Sequence, residues 1–433
     1  MLTASRKNDD NVFIFLVFII IFLNSAVLKY NDLLLGLTAY SDMKEIYVFI
    51  IAVVGLFYFR RRLEAAKDSR GLAYSLLFFS VCMFLSWALD FLLVFSYSSP
   101  WYCFMLLRQA FCYLFGFYLL SYKVTKYHEF LFRLQIILAF VGIYVFIIYT
   151  WPEMMDYQIR MGFLRETTNV GRIGRFQHPA YHFAMLSFFV TMLQLLEFGQ
   201  YKIYHKIFIL LNTIIQAYSI LIANYRAAII ATAFFLLFSS LIILFSRRGR
   251  KFYTRTFLII ALFCGVIFLF SDVIFAIPWF ARIVDTKSIL NDPNMAWRIV
   301  ELLMAISRMN TWGDYILGMG YGRPFPYAGE LAAFLHNGFV SIFYNFGVIG
   351  SILMLNIWAN FYIYIRRYLR PAHTPAYYIT ITYFIALMIQ NWSSGIFNRE
   401  EAAIISFILF LLVVVFYSRE LQRRFQGAAI ALH

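Results

Sequence analysis

Apolar stretches long enough to cross a lipid bilayer recur along the whole chain, separated by polar gaps. A transmembrane α-helix needs roughly 20 mostly apolar residues. Stretches that suit such helices lie near residues 12–28, 46–59, 72–95, 101–122, 130–149, 179–198, 207–223, 227–245, 256–277, 335–365, 377–391 and 402–417. Because lipid leaves the backbone no water to bond, the pattern predicts an all-α polytopic membrane protein with about 12 transmembrane helices.

Two parts of this assignment rest on separate arguments. The apolar run at 207–245 is continuous, and we split it at Asn224-Tyr225-Arg226 so that the basic cluster at 247–255 faces the same side as the other basic clusters. No small-residue cleavage site follows the run at 12–28, so we interpret that run as a retained helix rather than a removed signal peptide. Both termini then lie on one side of the membrane.

The composition excludes several classes of protein. Of the 433 residues, 62% are hydrophobic and 14% are charged, whereas a soluble domain is about 45–50% apolar and about 25% charged. A soluble globular enzyme and a disordered chain are therefore excluded. The 4 cysteines lie in apolar runs without a Cys-x-x-Cys or Cys/His motif, so neither a metal site nor a disulfide framework is indicated.

The charge pattern orients the predicted helices. The chain has 37 Lys and Arg against 22 Asp and Glu, a net charge of +15. Basic clusters occupy every second gap, at residues 60–70, 123–133, 202–206, 247–255, 366–370 and 419–424. Those gaps and the termini carry roughly +16 and the other gaps roughly −1, which is the positive-inside pattern. The basic excess therefore orients the protein and meets anionic membrane lipid, and nucleic-acid binding is not expected.

Two of the outer gaps are long. The gap at 151–178 carries four arginines: Arg160, Arg165, Arg172 and Arg175. The gap at 278–334 contains a segment with amphipathic helical spacing at 296–309, expected on the bilayer surface, and then a flexible glycine turn at 318–322. Long loops on a rigid scaffold tend to carry function. We predict a single membrane domain over residues 1–433.

Three residues of the outer face carry candidate chemistry. Arg226 either extends its guanidinium to the lipid–water interface or binds a phosphate group as a fixed positive charge. Arg298 is either a solvated loop residue paired with Glu301 or a second phosphate ligand. His336 lies at the start of a predicted helix. It is either a helix cap, a hydrated group in the core, or the base that removes a proton near neutral pH. Taken together, two arginines suit a pyrophosphate and the histidine suits a hydroxyl, which favours transfer from a lipid-pyrophosphate donor to an alcohol.

These motifs, in this order, resemble those of one known family, the O-antigen ligases and O-antigen polymerases. The similar part covers roughly residues 223–365. It consists of Asn224-Tyr225-Arg226-Ala227, Trp297-Arg298, the glycine turn at 318–322, and His336-Asn337 followed by Gly347 and Gly350. In this chain Tyr225 precedes the first arginine, where the family usually has a serine.

The resemblance implies a fold and an activity. The family has a multi-helix membrane fold related to type-C glycosyltransferases, and its two essential arginines and essential histidine would fall on Arg226, Arg298 and His336. Its members transfer glycans from undecaprenyl pyrophosphate to an acceptor hydroxyl, with inversion and without a metal or other cofactor. The expected location is the bacterial inner membrane, with the active site facing the periplasm. Scattered outer carboxylates, with no Asp-x-Asp motif, agree with the absence of a metal site.

Further residues are candidates for binding the pyrophosphate or the glycan. The four arginines of the gap at 151–178 form either an ordinary solvated loop or a cationic rim that attracts the anionic donor. Asn337 and Tyr321 lie within the motifs and are also predicted to bind substrate. His178 and His182 are expected to be supporting residues.

The residues leave several functions open. A polymerase would use a second lipid-linked repeat unit as acceptor, whereas a ligase would use the glycan of lipid A-core. We favour the polymerase because polymerases are the more numerous and diverse group, and a chain-length regulator is then a candidate partner. A flippase for the same lipid would show internal repeats, broken helices and polar residues deep in its spans. A structural membrane scaffold would leave the outer arginines unexplained.

Overall fold

The computed structural model describes most of the predicted spans. It covers residues 14–19, 21, 68–93, 100–121, 127–150, 180–223, 225–246, 293–320, 325–327, 330–332, 335, 337–397 and 401–430. The predicted spans at 46–59 and 256–277 and the gap at 151–178 lie outside these residues.

The described part of the chain is almost entirely helical. In chain order the helices are α1 (Arg70–Leu93), α2 (Pro100–Ser121), α3 (Tyr127–Thr150), α4 (Ala180–Leu196), α5 (Ile203–Ala223), α6 (Arg226–Phe245), α7 (Pro293–Arg308), α8 (Trp312–Leu317), α9 (Gly338–Tyr364), α10 (Thr374–Ser394) and α11 (Glu401–Ile430). A 3-10 turn, Phe198–Gln200, joins α4 to α5, and a π-helical turn, Ile365–Leu369, followed by a short helical turn, Arg370–Ala372, joins α9 to α10.

Several of these helices suit a bilayer. Within the described residues, 5 helices are long and apolar enough to cross a membrane: Arg70–Ala88, Tyr127–Ile147, Ala227–Phe245, Gly338–Ala372 and Ala402–Arg424. Gln109–Leu120 and Ala180–Leu196 are shorter apolar helices. The protein is thus a predominantly helical, membrane-type protein, while the total of about 12 spans stays a prediction.

The helix boundaries follow the apolar pattern closely. The predicted spans at 72–95 and 130–149 correspond to α1 and α3, each displaced by no more than a few residues. The split of the long apolar run is confirmed, because α5 ends at Ala223 and α6 begins at Arg226. In contrast, α11 runs well beyond its predicted end at residue 417.

One small element departs from the all-α prediction. Phe325–Tyr327 and Glu330–Ala332 form an antiparallel two-stranded hairpin between α8 and α9. Phe325 pairs with Ala332, and Tyr327 pairs with Glu330. The hairpin is too short to alter the fold class.

The last helix forms the centre of the bundle. Residues 402–417 of α11 are all buried, and α11 packs against α2 and α4. Around it, α1 packs against α2 and α9, and α10 packs against α6. Aromatic rings fill the interior, with the Phe410 ring 4.8 Å from Tyr383 and 4.9 Å from Phe189.

A buried polar network connects α3, α4 and α5. Gln135 Nε2 donates to Thr191 Oγ1 at 2.9 Å, and Ser187 Oγ donates to Gln135 Oε1 at 2.8 Å. Asn212 donates to both Gln135 and Ser187, and Gln216 donates to the Leu138 carbonyl at 2.7 Å. In a membrane, an apolar helix surface packs about as favourably against lipid as against another helix. Hydrogen bonds between helices therefore help to hold the bundle together.

Charged residues gather at one end of the bundle. Arg419 of α11 makes two bonds of 2.7 Å to the carboxylate of Asp68, just before α1. Arg424 bonds Glu197 at 3.1 Å and also contacts His128. These contacts join the starts of α1 and α3 to the ends of α4 and α11, so several predicted cytoplasmic gaps share one end.

Tyr201 belongs to the same charged end. Its hydroxyl lies 3.2 Å from His128 Nδ1. Burial raises the pKa of the Tyr201 hydroxyl, and the nearby Glu197 carboxylate raises this pKa further. The hydroxyl therefore stays protonated and remains a hydrogen-bond donor for its neighbours.

Candidate functional site

The opposite end of the bundle brings together the helix ends that carry the sequence motifs. Ser406 Oγ of α11 donates to the His182 carbonyl of α4 at 2.9 Å. Gln390 Nε2 of α10 lies 3.3 Å from His182 Nδ1. The rings of Tyr181 and Tyr225 lie 5.4 Å apart, which adds the residue just before α6. The starts of α4, α6 and α11 and the end of α10 therefore lie at one level.

Arg226 begins α6 at this level. The helix packs against α10, and its Phe235 ring lies 5.1 Å from the Tyr383 ring in the middle of α10. Since Tyr225 contacts the group around His182 and Gln390, the two helices run antiparallel, and the start of α6 lies beside the end of α10. The side chain of Arg226 lies outside the described part of the structure.

The start of α9 packs against the end of α10. Gly338 is buried, and a Cβ added there would overlap Asn391 Oδ1 and lie 2.6 Å from the Gly395 Cα. Only glycine leaves room for this approach of two helix ends. His336, two residues earlier, lies outside the described residues, but its neighbours Leu335 and Asn337 are both buried.

Asn337 has a defined structural role. Its Oδ1 accepts hydrogen bonds from the backbone N–H groups of Phe339 at 3.0 Å and Val340 at 3.2 Å, so it is the N-cap of α9. The cap holds the chain direction immediately after His336. As a predicted substrate ligand, Asn337 would then act through its amide nitrogen, since its oxygen is already engaged.

Helix α7 carries Arg298 and packs against the first turns of α9. Glu301 and Ala305 of α7, and Met309 directly after it, are buried and follow helical spacing. Ala305 and Met309 form a small apolar cluster with three residues of α9 and the chain before it: Leu335, Val340 and Tyr344. Position 298 lies one turn before Glu301, although its side chain is outside the described part. The amphipathic helix predicted at 296–309 is thus confirmed as a helix, and it is fixed to α9.

A break in α9 provides a second attachment for the same loop. Gly347 has φ 62° and ψ −158°, which interrupts the helix. The carbonyls of Tyr344 and Asn345 accept hydrogen bonds from Met319 N at 2.7 Å and Gly320 N at 3.2 Å. Residues 318–320 of the glycine turn, which the sequence predicts to be flexible, are therefore docked into the helix break through their backbone.

The docked turn follows a well-defined short helix. Thr311 and Asp314 form a reciprocal capping box at the start of α8. Gly318 ends α8 with φ 85°, and Gly318 N donates to the Asp314 carbonyl at 2.9 Å. The apolar cluster, the capped helix and the docked turn together hold the segment 293–320 against α9.

Three of the predicted motifs therefore converge through their backbones. The starts of α6 and α9 flank the end of α10, and α7 is attached to α9. His336, Tyr321 and the four arginines of the gap at 151–178 lie outside the described residues, as do the side chains of Arg226 and Arg298. Their predicted roles in binding and catalysis stay predictions.

One buried residue at this end was not among the sequence candidates. Asn391 lies in the last turn of α10, is 0% exposed, and contacts the start of α9. The available signal was the pair of amides Gln390-Asn391 at the end of an apolar span, since polar residues within spans are costly and often functional.

Neither a search for metal ligands nor comparison with known proteins assigns a function to this end of the bundle. Within the ranges that the structure describes, no group of three or more His, Cys, Asp or Glu side chains is placed to hold a metal ion. No protein-family model matches the chain, and no curated protein sequence matches it. What the protein does is therefore inferred from its own motifs and from the helix ends described above.

Proposed function

We propose that this protein is an integral-membrane glycosyltransferase similar to the O-antigen polymerases and ligases. It transfers a glycan from undecaprenyl pyrophosphate to the hydroxyl of another lipid-linked repeat unit. It acts in the bacterial inner membrane with its site at the periplasmic face. The alternative within the same chemistry is a ligase whose acceptor is lipid A-core.

One observation carries this proposal. The helix with Arg298 is fixed to the first turns of the helix that follows His336, and the start of α6 with Arg226 lies at the same end of the bundle. Catalytic groups from distant parts of a chain act together only when rigid elements hold them in one place. The apolar helices supply the membrane setting that a polyprenyl substrate needs.

In the proposed complex, the polyprenyl tail of the donor lies along the lipid-facing helices. Arg226 and Arg298 bind the pyrophosphate, because a guanidinium bonds two phosphate oxygens at once. Their positive charges also stabilise the negative charge that develops on the leaving pyrophosphate.

In the proposed transfer step, the acceptor oxygen attacks the anomeric carbon from the face opposite the pyrophosphate. The new carbon–oxygen bond forms as the bond between that carbon and the pyrophosphate oxygen breaks. His336 takes the proton of the acceptor hydroxyl, and the electron pair leaves on undecaprenyl pyrophosphate. The configuration at the anomeric carbon is inverted.

Variants of the three catalytic candidates test the proposal. Arg226→Ala, Arg298→Ala and His336→Ala are expected to insert and fold normally but to lose at least a hundredfold in transfer rate. Arg308→Ala is the matched control, because Arg308 is an exposed arginine of the same helix as Arg298. Full transfer by purified Arg298→Ala and His336→Ala protein would contradict the proposal.

The acceptor is tested with the purified protein in lipid nanodiscs. The lipid-pyrophosphate-linked repeat unit is supplied alone and then together with lipid A-core. A ladder of products without lipid A-core supports the polymerase. A product that forms only with lipid A-core supports the ligase.

Two structural features match the flippase alternative. α9 is broken at Gly347, and the network around Gln135 places polar groups deep among apolar helices. At the break, however, the carbonyls of Tyr344 and Asn345 accept hydrogen bonds from the docked glycine turn. In the network, Gln135 is hydrogen-bonded to Thr191 and Ser187, so the polar groups of both features have partners within the protein. Movement of the intact lipid-linked unit across vesicles without any transfer would favour the flippase.

A further inference from the structure

The buried amide of Asn391 is at odds with its surroundings. The residue is 0% exposed, and within the described chain neither its Oδ1 nor its Nδ2 has a hydrogen-bond partner. Leaving a buried polar group without a hydrogen bond destabilises the folded state, and native proteins satisfy the large majority of such groups. A side chain that destabilises the fold in this way is expected to be retained for another purpose.

Other buried asparagines of the protein do have partners. Asn337 caps α9, Asn345 Nδ2 donates to Ser341 Oγ at 3.2 Å, and Asn212 belongs to the network between α3, α4 and α5. Of the buried amides within the described residues, Gln194 leaves its Nε2 without a partner, whereas Asn391 leaves both its Oδ1 and its Nδ2 without one. Asn391 lies at the junction between α9 and α10.

The junction lies where the motifs converge. The Asn391 amide lies against Gly338, the first residue of the helix that follows His336. The preceding residue, Gln390, reaches His182, which is linked through Tyr181 to the start of α6. Asn391 thus lies between the start of α6 at Arg226 and the start of α9, which follows His336 in the chain.

The chemistry of the amide narrows the class of ligand. A carboxamide offers one acceptor oxygen and two N–H donors. A phosphate only accepts hydrogen bonds, so it would leave Oδ1 unpaired. A sugar hydroxyl both donates and accepts, and two neighbouring hydroxyls can satisfy both ends of the amide.

We propose that Asn391 is a glycan-binding residue whose amide hydrogen-bonds hydroxyl groups of the lipid-linked sugar beside the pyrophosphate. This inference rests on the proposed glycosyltransferase function and deepens it. Since the amide is fully enclosed between α9 and α10, the sugar reaches it when the first turn of α9 moves away from Gly395. Glycine at both 338 and 395 means that no side chains interlock across this contact.

The test compares two leucine substitutions of buried asparagines. Asn391→Leu removes the unpaired amide with little change in volume, and Asn212→Leu removes an amide that has partners. We expect full-length Asn391→Leu to unfold at a temperature equal to or above that of the wild type, while its KM for the lipid-linked repeat unit rises at least tenfold. Asn212→Leu is expected to unfold at a lower temperature with an unchanged KM.

A binding measurement separates this inference from the proposed activity. The probes are the repeat-unit oligosaccharide released by mild acid from the producing cells' lipid-linked pool, and inorganic pyrophosphate. The oligosaccharide is expected to raise the unfolding temperature of the wild type but not of Asn391→Leu, and pyrophosphate is expected to act equally on both.

Several outcomes would overturn the inference. In the first, Asn391→Leu is destabilised like Asn212→Leu and its KM is unchanged. In the second, the oligosaccharide stabilises the wild type and Asn391→Leu equally, or stabilises neither. In the third, pyrophosphate stabilises the wild type but not Asn391→Leu. If His336→Ala loses transfer while Asn391→Leu still binds the oligosaccharide and the lipid-linked substrate as the wild type does, the inference about Asn391 is wrong and the proposed function stands. Full transfer by His336→Ala and Arg298→Ala would instead sink the proposed function.

Discussion

Gly347 lies against the backbone of Gly318, and Gly318 lies against the residues just before Gly347, where the docked turn enters the break in α9. A Cβ added at Gly318 would lie 2.5 Å from Phe346 N, and one added at Gly347 would lie 2.6 Å from Gly318 N. Both residues also have positive φ angles, 85° and 62°. Two independent requirements, space and backbone conformation, therefore select glycine at both positions.

Gly318→Ala and Gly347→Ala are each expected to release the segment 293–320 from α9. The strained backbone and the overlap with main-chain atoms together cost about 1–3 kcal/mol or more. Because Arg298 is carried by the released segment, transfer is expected to fall at least tenfold. Thermal unfolding, limited proteolysis of the segment and transfer rates measure the effect.

Gly313→Ala is the matched control for these substitutions. Gly313 lies in α8 of the same segment, and the nearest atom to an added Cβ is Thr311 Oγ1 at 3.5 Å, an ordinary contact. This variant is expected to behave like the wild type. If all three alanine variants had equal activity and equal resistance to protease, the contact would not hold the segment in place.

The positions of most described helices are predictable from the apolar pattern, and the reason is physical. A span in lipid must bond its own backbone and present apolar side chains, so its length and ends are visible in the sequence. Even the break between α5 and α6 follows from charge parity, because Arg226 and the cluster at 247–255 constrain which side each gap faces.

The contacts between helices are not predictable in the same way. Gly318 and Gly347 stand out as glycines, but a linear pattern does not reveal that their backbones meet or that the helix breaks. Asn391 is one amide at the end of an apolar run, and its unpaired state depends on the packing of Gly338. Such features depend on side-chain and backbone geometry between distant residues.

The ion pair between Arg419 and Asp68 is expected to stabilise the charged end of the bundle. The Arg419 and Asp68 side chains are 10% and 25% exposed, and they form two hydrogen bonds of 2.7 Å. Arg419→Ala leaves the carboxylate without its partner in a mostly enclosed site, so the free energy of unfolding is expected to fall by about 2–4 kcal/mol.

Arg423→Ala provides the control for this substitution. The Arg423 side chain is 39% exposed and lies 3.8 Å from Glu420, a geometry in which ion pairs contribute little. Its unfolding free energy is expected to stay within about 0.5 kcal/mol of the wild type. Equal destabilisation by both variants would show that loss of positive charge, rather than the Asp68 pair, is responsible.

The polar network between α3, α4 and α5 is expected to act as a unit. Asn212 donates to Ser187, and both contact Gln135. In a double-mutant cycle of Asn212→Ala and Ser187→Ala, the two losses of unfolding free energy are expected to be non-additive by about 0.5–1.5 kcal/mol. Transfer per folded molecule should not change. Strict additivity would mean that the network has no energetic coupling.

The two ends of the bundle are expected to face opposite sides of the membrane, and this can be measured on the whole protein. Gly199 lies two residues after Glu197 of the charged end, and an added Cβ there meets nothing within 4 Å. Trp312 lies in α8 of the segment attached to α9, and it is 84% exposed. Single cysteines at these two positions, in a protein whose native cysteines are replaced by serine, are therefore open to modification.

A maleimide that cannot cross membranes should label Trp312→Cys in intact spheroplasts and should label Gly199→Cys only after lysis. The expectation follows from the positive-inside pattern, by which the arginines and lysines of the charged end place that end in the cytoplasm and the segment with Arg298 in the periplasm. Labelling of Gly199→Cys in intact spheroplasts, with Trp312→Cys protected, would place Arg298 in the cytoplasm. Transfer from a lipid-linked donor at the periplasmic face would then have no site on this protein.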